Sequence, residues 1–532
     1  MLIIGVKPGH DGAIAVVGDR KLLFSIEGEK NSFRRYESLH PSAVLDVIGL
    51  VGEAPDVIAY GGGIKGAGFL GDNRVGAGYF GTDYDLRDAR FFGRDVKLFN
   101  HPHERSHIAM AAGMAPRNDS PLHAVLVWEG ALGHFYLLDD KWSVTQKVPV
   151  MRRPGHRYAF PYDLADPTYP DGATAPRHSD AGKLMALAAY GDPETTDAAV
   201  VETVERILDA VVLRKGEFRD SPLYNAGVEA QQTKDAAALV SKRIFEVFAA
   251  AARQHLPEGL PLYISGGCGL NCGWNTDWRD LGHFSSVFVP PCTNDAGSAL
   301  GTAIDALTAV TGDPHIDWSV YSGLEFDWDV EPSARWRRQK LDERSLADAL
   351  LSGQIVAWVQ GRWEIGPRAL GARSILAEPS SERTRDRLNE IKQRESYRPV
   401  APCCRIEDVG KAFTDDAPDP YMLYFRYVRS TELRAITHVD NSARVQTVTR
   451  ESNERLHDLL TVVAERRGLG VLCNTSLNFK GFGFINRMSD LVAYCESRGI
   501  PEMVVGDAWF SDTEAAPAPP APERERGLAN VG

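Results

Sequence analysis

Cysteine pairs in CxxC spacing are absent from this 532-residue chain, although seven cysteines occur, at 268, 272, 292, 403, 404, 473 and 495. An odd count without framework spacing excludes a disulfide scaffold and points to buried thiols in a reducing compartment. Long apolar runs are missing too: none approaches the ~20 residues of a bilayer-spanning helix, so no membrane partner is expected. Met1–Val6 is too short for a secretion-signal core and leads straight into glycine-bearing sequence. Positive charge is in deficit, with 59 Lys and Arg against 72 Asp and Glu, a net charge of -13. That balance argues against a nucleic-acid surface. A Walker A loop is also lacking, because Gly182-Lys183 has neither the upstream glycine spacing nor a following Ser or Thr. The expectation is a soluble, cytoplasmic protein acting on a small molecule, with a homodimer compatible.

What is present is ordinary globular composition, 43% hydrophobic and 25% charged, in a chain long enough for two to four domains. Leu2–Val6, Ala13–Val17 and Leu22–Ile26 read as three strands of an antiparallel meander, separated by Gly9-His10-Asp11-Gly12 and Gly18-Asp19. Val96–Phe99 reads as a further strand, and Ala124–Val127 with His134–Leu138 as a hairpin. Residues 233–254 keep Val240, Ile244, Val247, Phe248 and Ala251 on one helical face. Leu262–Ile264 then reads as a buried strand and 297–310 as a helix of small residues. The pattern predicts α/β architecture: a first domain over 1–320, a connection over 321–344, a second α/β domain over 345–513, and a low-complexity tail over 514–532. No internal repeat is visible.

The chemistry concentrates in a few places. In Val356–Ser374 a buried strand breaks into a Gly- and Pro-bearing turn with Arg362, Arg368 and Arg373, a guanidinium density suited to phosphate or carboxylate. Lys392, Arg394 and Arg398 add to it, and Leu472–Asn478 supplies Asn474 and Ser476 at a strand end. A cationic pocket in an acidic protein is hard to explain as solvation. His103 and His107 share one helix face, with Pro102 as first helical residue; Glu129 and Asp295, each near a glycine, make a metal set possible. Two solvent-facing histidines are the plain alternative. His10, at a hairpin tip, suits a general base or an ordinary turn. Ser265–Cys272, with Gly266, Gly267 and Asn271, could bring backbone amides to a nucleotide, and Lys183 in Asp180–Gly191 could meet an anion. Cys268 reads as a packed thiol.

These words, in this order, resemble the O-carbamoyltransferases of antibiotic and nodulation-factor biosynthesis: Gly9-His-Asp11, His103/His107, Gly182-Lys-Leu-Met185, Gly266-Gly267 with Asn271, Asn294-Asp-Ala-Gly297, Gly366-Pro-Arg-Ala-Leu-Gly371, Arg398-Pro and Asn474-Thr-Ser476. The resemblance implies an actin-like ATPase domain followed by a YrdC-like domain. It implies that ATP and carbamoyl phosphate give carbamoyladenylate among Arg368, Arg373, Lys392, Arg398, Asn474 and Ser476. It further implies a nucleotide site at Lys183, Gly266, Gly267 and Asn271. A divalent metal, iron in this family with Mn2+ or Mg2+ as alternatives, would be held by His103, His107, Glu129 and Asp295, with His10 as base. Glu129 stands where relatives carry Asp, and Glu104 replaces a usual histidine. After Asn478 the usual Gly-Glu-Pro gives way to Phe479–Phe484. The opening Lys7–Gly12 looks most like the branch acting on the 3-hydroxymethyl group of cephalosporins, whose carboxylate could pair with Lys30, Arg34 or Arg35, unless these are a solvated basic face. Other acceptors, a sugar or an ansamycin hydroxyl, stay open, as does an actin-like sugar kinase.

Overall fold

The computed structural model describes every residue except 33, 64–74, 92, 178 and 516–532, so most of the expected tail lies outside the described residues. The first sheet contains β1 (Leu2–Lys7), β2 (Ala13–Gly18), β3 (Lys21–Glu27), β4 (Val57–Gly61), β5 (Asp85–Phe91) and β6 (Arg94–His101). Its order is β3-β2-β1-β4-β6-β5. The opening meander is antiparallel, as the alternation predicts, whereas β4 and β6 join parallel. Asp19 and Arg20 both take positive φ (46° and 64°), the geometry of a tight turn whose twist matches its strands.

The second sheet holds β7 (His123–Trp128), β8 (Gly133–Leu138), β9 (Val144–Pro149), β10 (Pro261–Ser265) and β11 (Ser286–Phe288), in the order β11-β10-β7-β8-β9. Here too an antiparallel meander opens the sheet and two parallel strands extend it from the first strand. The chain therefore repeats a strand arrangement, although no repeat is visible in its residues. Strand order and hydrogen-bond sense are repeated, not residues, and any alternating apolar sequence meets those requirements. The helical segment between β9 and β10 further hides the period. Its longest helix, Gln231–His255, buries Val240, Ile244, Phe248 and Ala252, while Val247 faces solvent.

Two helices lie between the sheets. His103–Met114 packs on β7 and β10, Ser298–Thr311 packs on β1, β2 and β4, and each packs on the other. The approach is close enough that a Cβ on Gly5 would overlap Ala299 O, so glycine is required there. Two sheets of matching strand order with helices between them form the first domain.

The remaining chain forms an eight-stranded mixed sheet. Its strands are β12 (Trp336–Lys340), β13 (Val356–Val359), β14 (Arg373–Ala377), β15 (Ala401–Arg405), β18 (Gln446–Val448), β19 (Val471–Ser476), β20 (Glu502–Val505) and β21 (Ala508–Asp512); β16 (Arg426–Tyr427) and β17 (Ser442–Ala443) form a separate ribbon. β12 falls inside the expected connection of 321–344, yet it pairs with β21 from Trp336↔Asp512 to Lys340↔Ala508. It is an edge strand with only Trp336 buried, so its arginines mask the alternation that marks a strand. No helix among the described residues is long and apolar enough to cross a membrane.

Candidate functional site

The helix His103–Met114 starts directly after β6, and Pro102 is its N-cap with extended backbone, one position earlier than expected. The four-residue spacing sets His103 Nε2 and His107 Nε2 3.1 Å apart. Glu129 leaves the end of β7, and Asp295 opens the turn that leads into Ser298–Thr311. Glu129 Oε2 lies 3.6 Å from His103 Nε2 and 3.9 Å from His107 Nε2; Asp295 Oδ1 lies 3.6 and 3.4 Å from the same atoms. All four side chains thus offer one donor atom within 4.8 Å of the others. The histidines are buried, which removes the solvent-facing alternative.

Burial raises Glu129 and Asp295, but the imidazoles, with Lys7 beside Asp295, outweigh it and hold both below the usual carboxylate range. Burial likewise works against protonated His103, and the two carboxylates overcome it to hold that imidazole above its ordinary value. Two imidazole nitrogens and two carboxylate oxygens fit a first-row divalent ion by ligand type and number. Outer contacts orient the set: Ser265 Oγ takes up His107 Nδ1 at 2.9 Å, leaving Nε2 to face the carboxylates. Two further residues escaped the sequence reading. Tyr79 donates its hydroxyl to Glu129 and stacks on His103 at 4.5 Å. Lys7 donates to the carbonyl of His10 and reaches Asp295 Oδ2 at 3.4 Å. A lysine closing an apolar strand was the available signal for Lys7; Tyr79 lies in aperiodic sequence and left none. Glu104 is turned to another face, where it accepts from Tyr136, Lys147 and the amide of Gly81. Burial opposes that charge, but the surrounding donors bring Glu104 down to about 2.

His10 sits at the β1–β2 turn with its side chain 46% exposed and Nδ1 3.2 Å from Asp11 Oδ2. Donating a hydrogen bond to the Asp11 carboxylate raises it above the ordinary imidazole value against partial burial. The ring of Tyr36 stands 5.5 Å away.

The expected nucleotide residues have divided duties. Gly266, at φ +103°, is required because a Cβ there would overlap Trp128 O, while Gly267 faces open space. Asn271 caps the helix Cys272–Asp280, and its Nδ2 is buried without a partner. Lys183 pairs with Asp180 at 2.9 Å and, across the boundary between the two sheet systems, with Glu395 at 3.5 Å. Cys268 is buried, and burial pushes its thiol far above the usual range, as suits a packed side chain.

Arg368, Lys392 and Arg398 do converge, together with Arg394 and Arg444. Burial first, and then their mutual repulsion, bring Arg368 and Arg394 down to about 9 and pull Lys392 and Arg398 below their ordinary values. Buried Nε donors on Arg368 and Arg444 have no partner. Such a set is prearranged for an anion bearing several oxygens. Arg444 had no motif around it and was not foreseen. Ser476 and Asn474 support the pocket: Lys392 donates to the carbonyl of Ser476, and Asn474 Nδ2 donates to Ala369 O at 3.2 Å and Gln446 Oε1 at 2.8 Å.

Two expected residues stand apart. Arg373 is enclosed in β14, where it donates to Asn486 Oδ1 at 3.0 Å and Gln360 O at 3.1 Å under the ring of Phe326, because strand alternation turns it from the pocket. Lys30 is 1% exposed and committed to Glu27 and backbone carbonyls, so it meets no acceptor. Arg35 lies against Glu29 at 3.5 Å and over Tyr36, and Arg34 is exposed. Arg35 also repels Lys392 and Arg398, so the His10 turn stands near the pocket.

The models for the carbamoyltransferase N-terminus and C-terminus match residues 83–304 and 347–512. The chain is 61% identical to a 3'-hydroxymethylcephem-O-carbamoyltransferase of Amycolatopsis lactamdurans, across 97% of this chain and 100% of the relative. It is 59% identical to the protein of that name from Streptomyces clavuligerus, across 96% and 99%. Nodulation protein U of Sinorhizobium fredii is 33% identical across 91% and 95%. With both halves matched and these relatives aligned nearly end to end, the chain belongs to the carbamoyltransferase family.

Proposed function

We propose that this enzyme converts ATP and carbamoyl phosphate to carbamoyladenylate in the cationic pocket and passes the carbamoyl group to the 3-hydroxymethyl group of a cephem. The observation that carries the acceptor is the identity of 61% and 59% to two proteins named for that reaction. In the first step Arg368, Arg394, Arg398 and Arg444 bind the phosphates, and Lys392, whose donors are taken by Ser476 and Asn478, contributes its charge. Water first cleaves carbamoyl phosphate to carbamate and inorganic phosphate; the carbamate oxygen then attacks the α-phosphorus of ATP, and pyrophosphate leaves. Excluding water here would protect the mixed anhydride from hydrolysis.

In the second step His10 removes the acceptor hydroxyl proton as that oxygen attacks the carbamoyl carbon and AMP departs. A placed base of this kind contributes ~10²–10⁴-fold. A divalent ion held by His103, His107, Glu129 and Asp295 (Fe2+, or Mn2+ or Mg2+) would supply positive charge for the phosphate of the leaving AMP. Lys7, beside Asp295, adds a fixed cation on the same side. Arg34 and Arg35, next to Tyr36 in the chain, are the cations that would meet an acceptor carboxylate.

The test supplies ATP and carbamoyl phosphate with and without deacetylcephalosporin alcohols, and follows pyrophosphate, AMP and carbamoylated product. Pyrophosphate, AMP and a carbamoylated cephem are expected. ADP as the nucleotide product would overturn the two-step reading, and a sugar or ansamycin alcohol modified in preference would overturn the acceptor.

A further inference from the structure

The loop from Gly366 to Gly371 touches both halves of the site. Arg368 extends from it into the cationic pocket and donates to Leu270 O at 2.9 Å. Gly366, at φ +84°, lies so close to Pro291 and Cys292 that a Cβ would overlap them. That backbone leads directly to Asp295 of the His–carboxylate cluster. Glu364 fixes the loop's shape from within, accepting from Leu370 N and Ala372 N, each at 2.7 Å.

Its position against the first domain depends on a different pair. Lys30 Nζ donates to Gly366 O at 2.6 Å and to Glu364 O, and Glu27 Oε1 accepts from Gly366 N at 2.7 Å. Both backbone groups of Gly366 are therefore taken by one ion pair, closed at 3.1 Å. Phe484 from the second domain lies 4.7 Å from the ammonium, and Asn486 Nδ2 donates to Lys30 O at 2.9 Å. Glu27 and Lys30 are 2% and 1% exposed, so neither meets a substrate. Desolvation makes a buried pair a poor source of stability, whereas its fixed geometry sets a register.

We infer that Glu27 and Lys30 are positioning residues that align the cationic pocket with the His10 turn, so that the activated carbamoyl group is delivered instead of being lost to water. This rests on the two-step reading above. A misplacement of about 1 Å between reacting groups is enough to cost ~10²-fold.

The experiment compares full-length wild type with Glu27→Gln/Lys30→Met, a charge-balanced change of similar volume, in ATP, carbamoyl phosphate and a deacetylcephalosporin alcohol. Wild type releases pyrophosphate and makes AMP and product in a ratio near unity; if it releases no pyrophosphate, the two-step reading and this inference both fall. In the double variant, pyrophosphate release stays within about threefold while AMP formed per carbamoylated product rises about tenfold or more. Phe484→Leu, which keeps an apolar side chain and removes only the ring over the ammonium, raises the ratio about two- to threefold. A merely structural pair lowers both steps in parallel at constant ratio. An unchanged ratio in Phe484→Leu, or in the double variant where it folds, overturns the inference and leaves the two-step reading intact.

Discussion

Replacing His10 with alanine separates the two chemical steps. The imidazole stands at the β1–β2 turn, and the cations of the pocket come from other elements, so adenylate formation loses nothing by its removal. Transfer loses its base and falls by ~10²–10⁴-fold. Asp11 raises His10 above 6.5, so the imidazole is protonated and idle at low pH. Single-turnover transfer therefore increases with pH along a limb centred above 6.5, and pyrophosphate release does not follow it. Asp11→Asn removes the acceptor that stabilises the imidazolium, so the limb moves to lower pH. The assay is rapid-quench measurement of pyrophosphate and carbamoylated product across the pH range on the same enzyme. Equal loss of both products in His10→Ala, or a limb unmoved in Asp11→Asn, would refute the assignment.

Three other outcomes are expected. Arg444→Ala raises the KM for ATP or carbamoyl phosphate about 10- to 100-fold, since a charge-assisted hydrogen bond contributes about 1.5–3 kcal/mol; steady-state kinetics at fixed cephem checks it. Chelation, or His103→Ala with His107→Ala, abolishes carbamoylated product while pyrophosphate release continues, and readdition of single divalent ions to the chelated enzyme identifies the one that restores transfer. Arg373→Met lowers unfolding stability by about 2–4 kcal/mol, because Asn486 and Gln360 lose a buried donor, yet leaves the KM for ATP within about threefold. Denaturant unfolding alongside kinetics separates these effects.

Strand alternation and turn chemistry alone made the N-terminal meander legible, because β1, β2 and β3 are consecutive and their pairing is local. The four-residue spacing of His103 and His107 likewise announced a shared helix face. Convergence with Glu129 and Asp295 followed from motif order, not from any local rule, since these carboxylates follow different strands, β7 and β11, far apart in the chain. The guanidinium-rich turn was equally readable in kind, but its members were not: Arg368 and Arg373 look equivalent in sequence. Arg368 stands on the loop that reaches the pocket, whereas Arg373 opens β14 and is enclosed there. Lys30 shows the same limit. On the chain it is one of three neighbouring cations, and only the arrival of Gly366 from hundreds of residues away converts it into a buried clamp.

Composition, periodicity and motif order thus determined the class of fold, the anionic character of the ligands and the residues eligible for catalysis. Each of those properties resides in short stretches of chain. Which eligible residues face one another was decided by tertiary structure, through the duplicated sheets that bring β6, β7 and the turn before Ser298–Thr311 to one point. The physical reason is that side-chain direction follows from local backbone geometry, whereas its surroundings are set by segments packed from far along the chain.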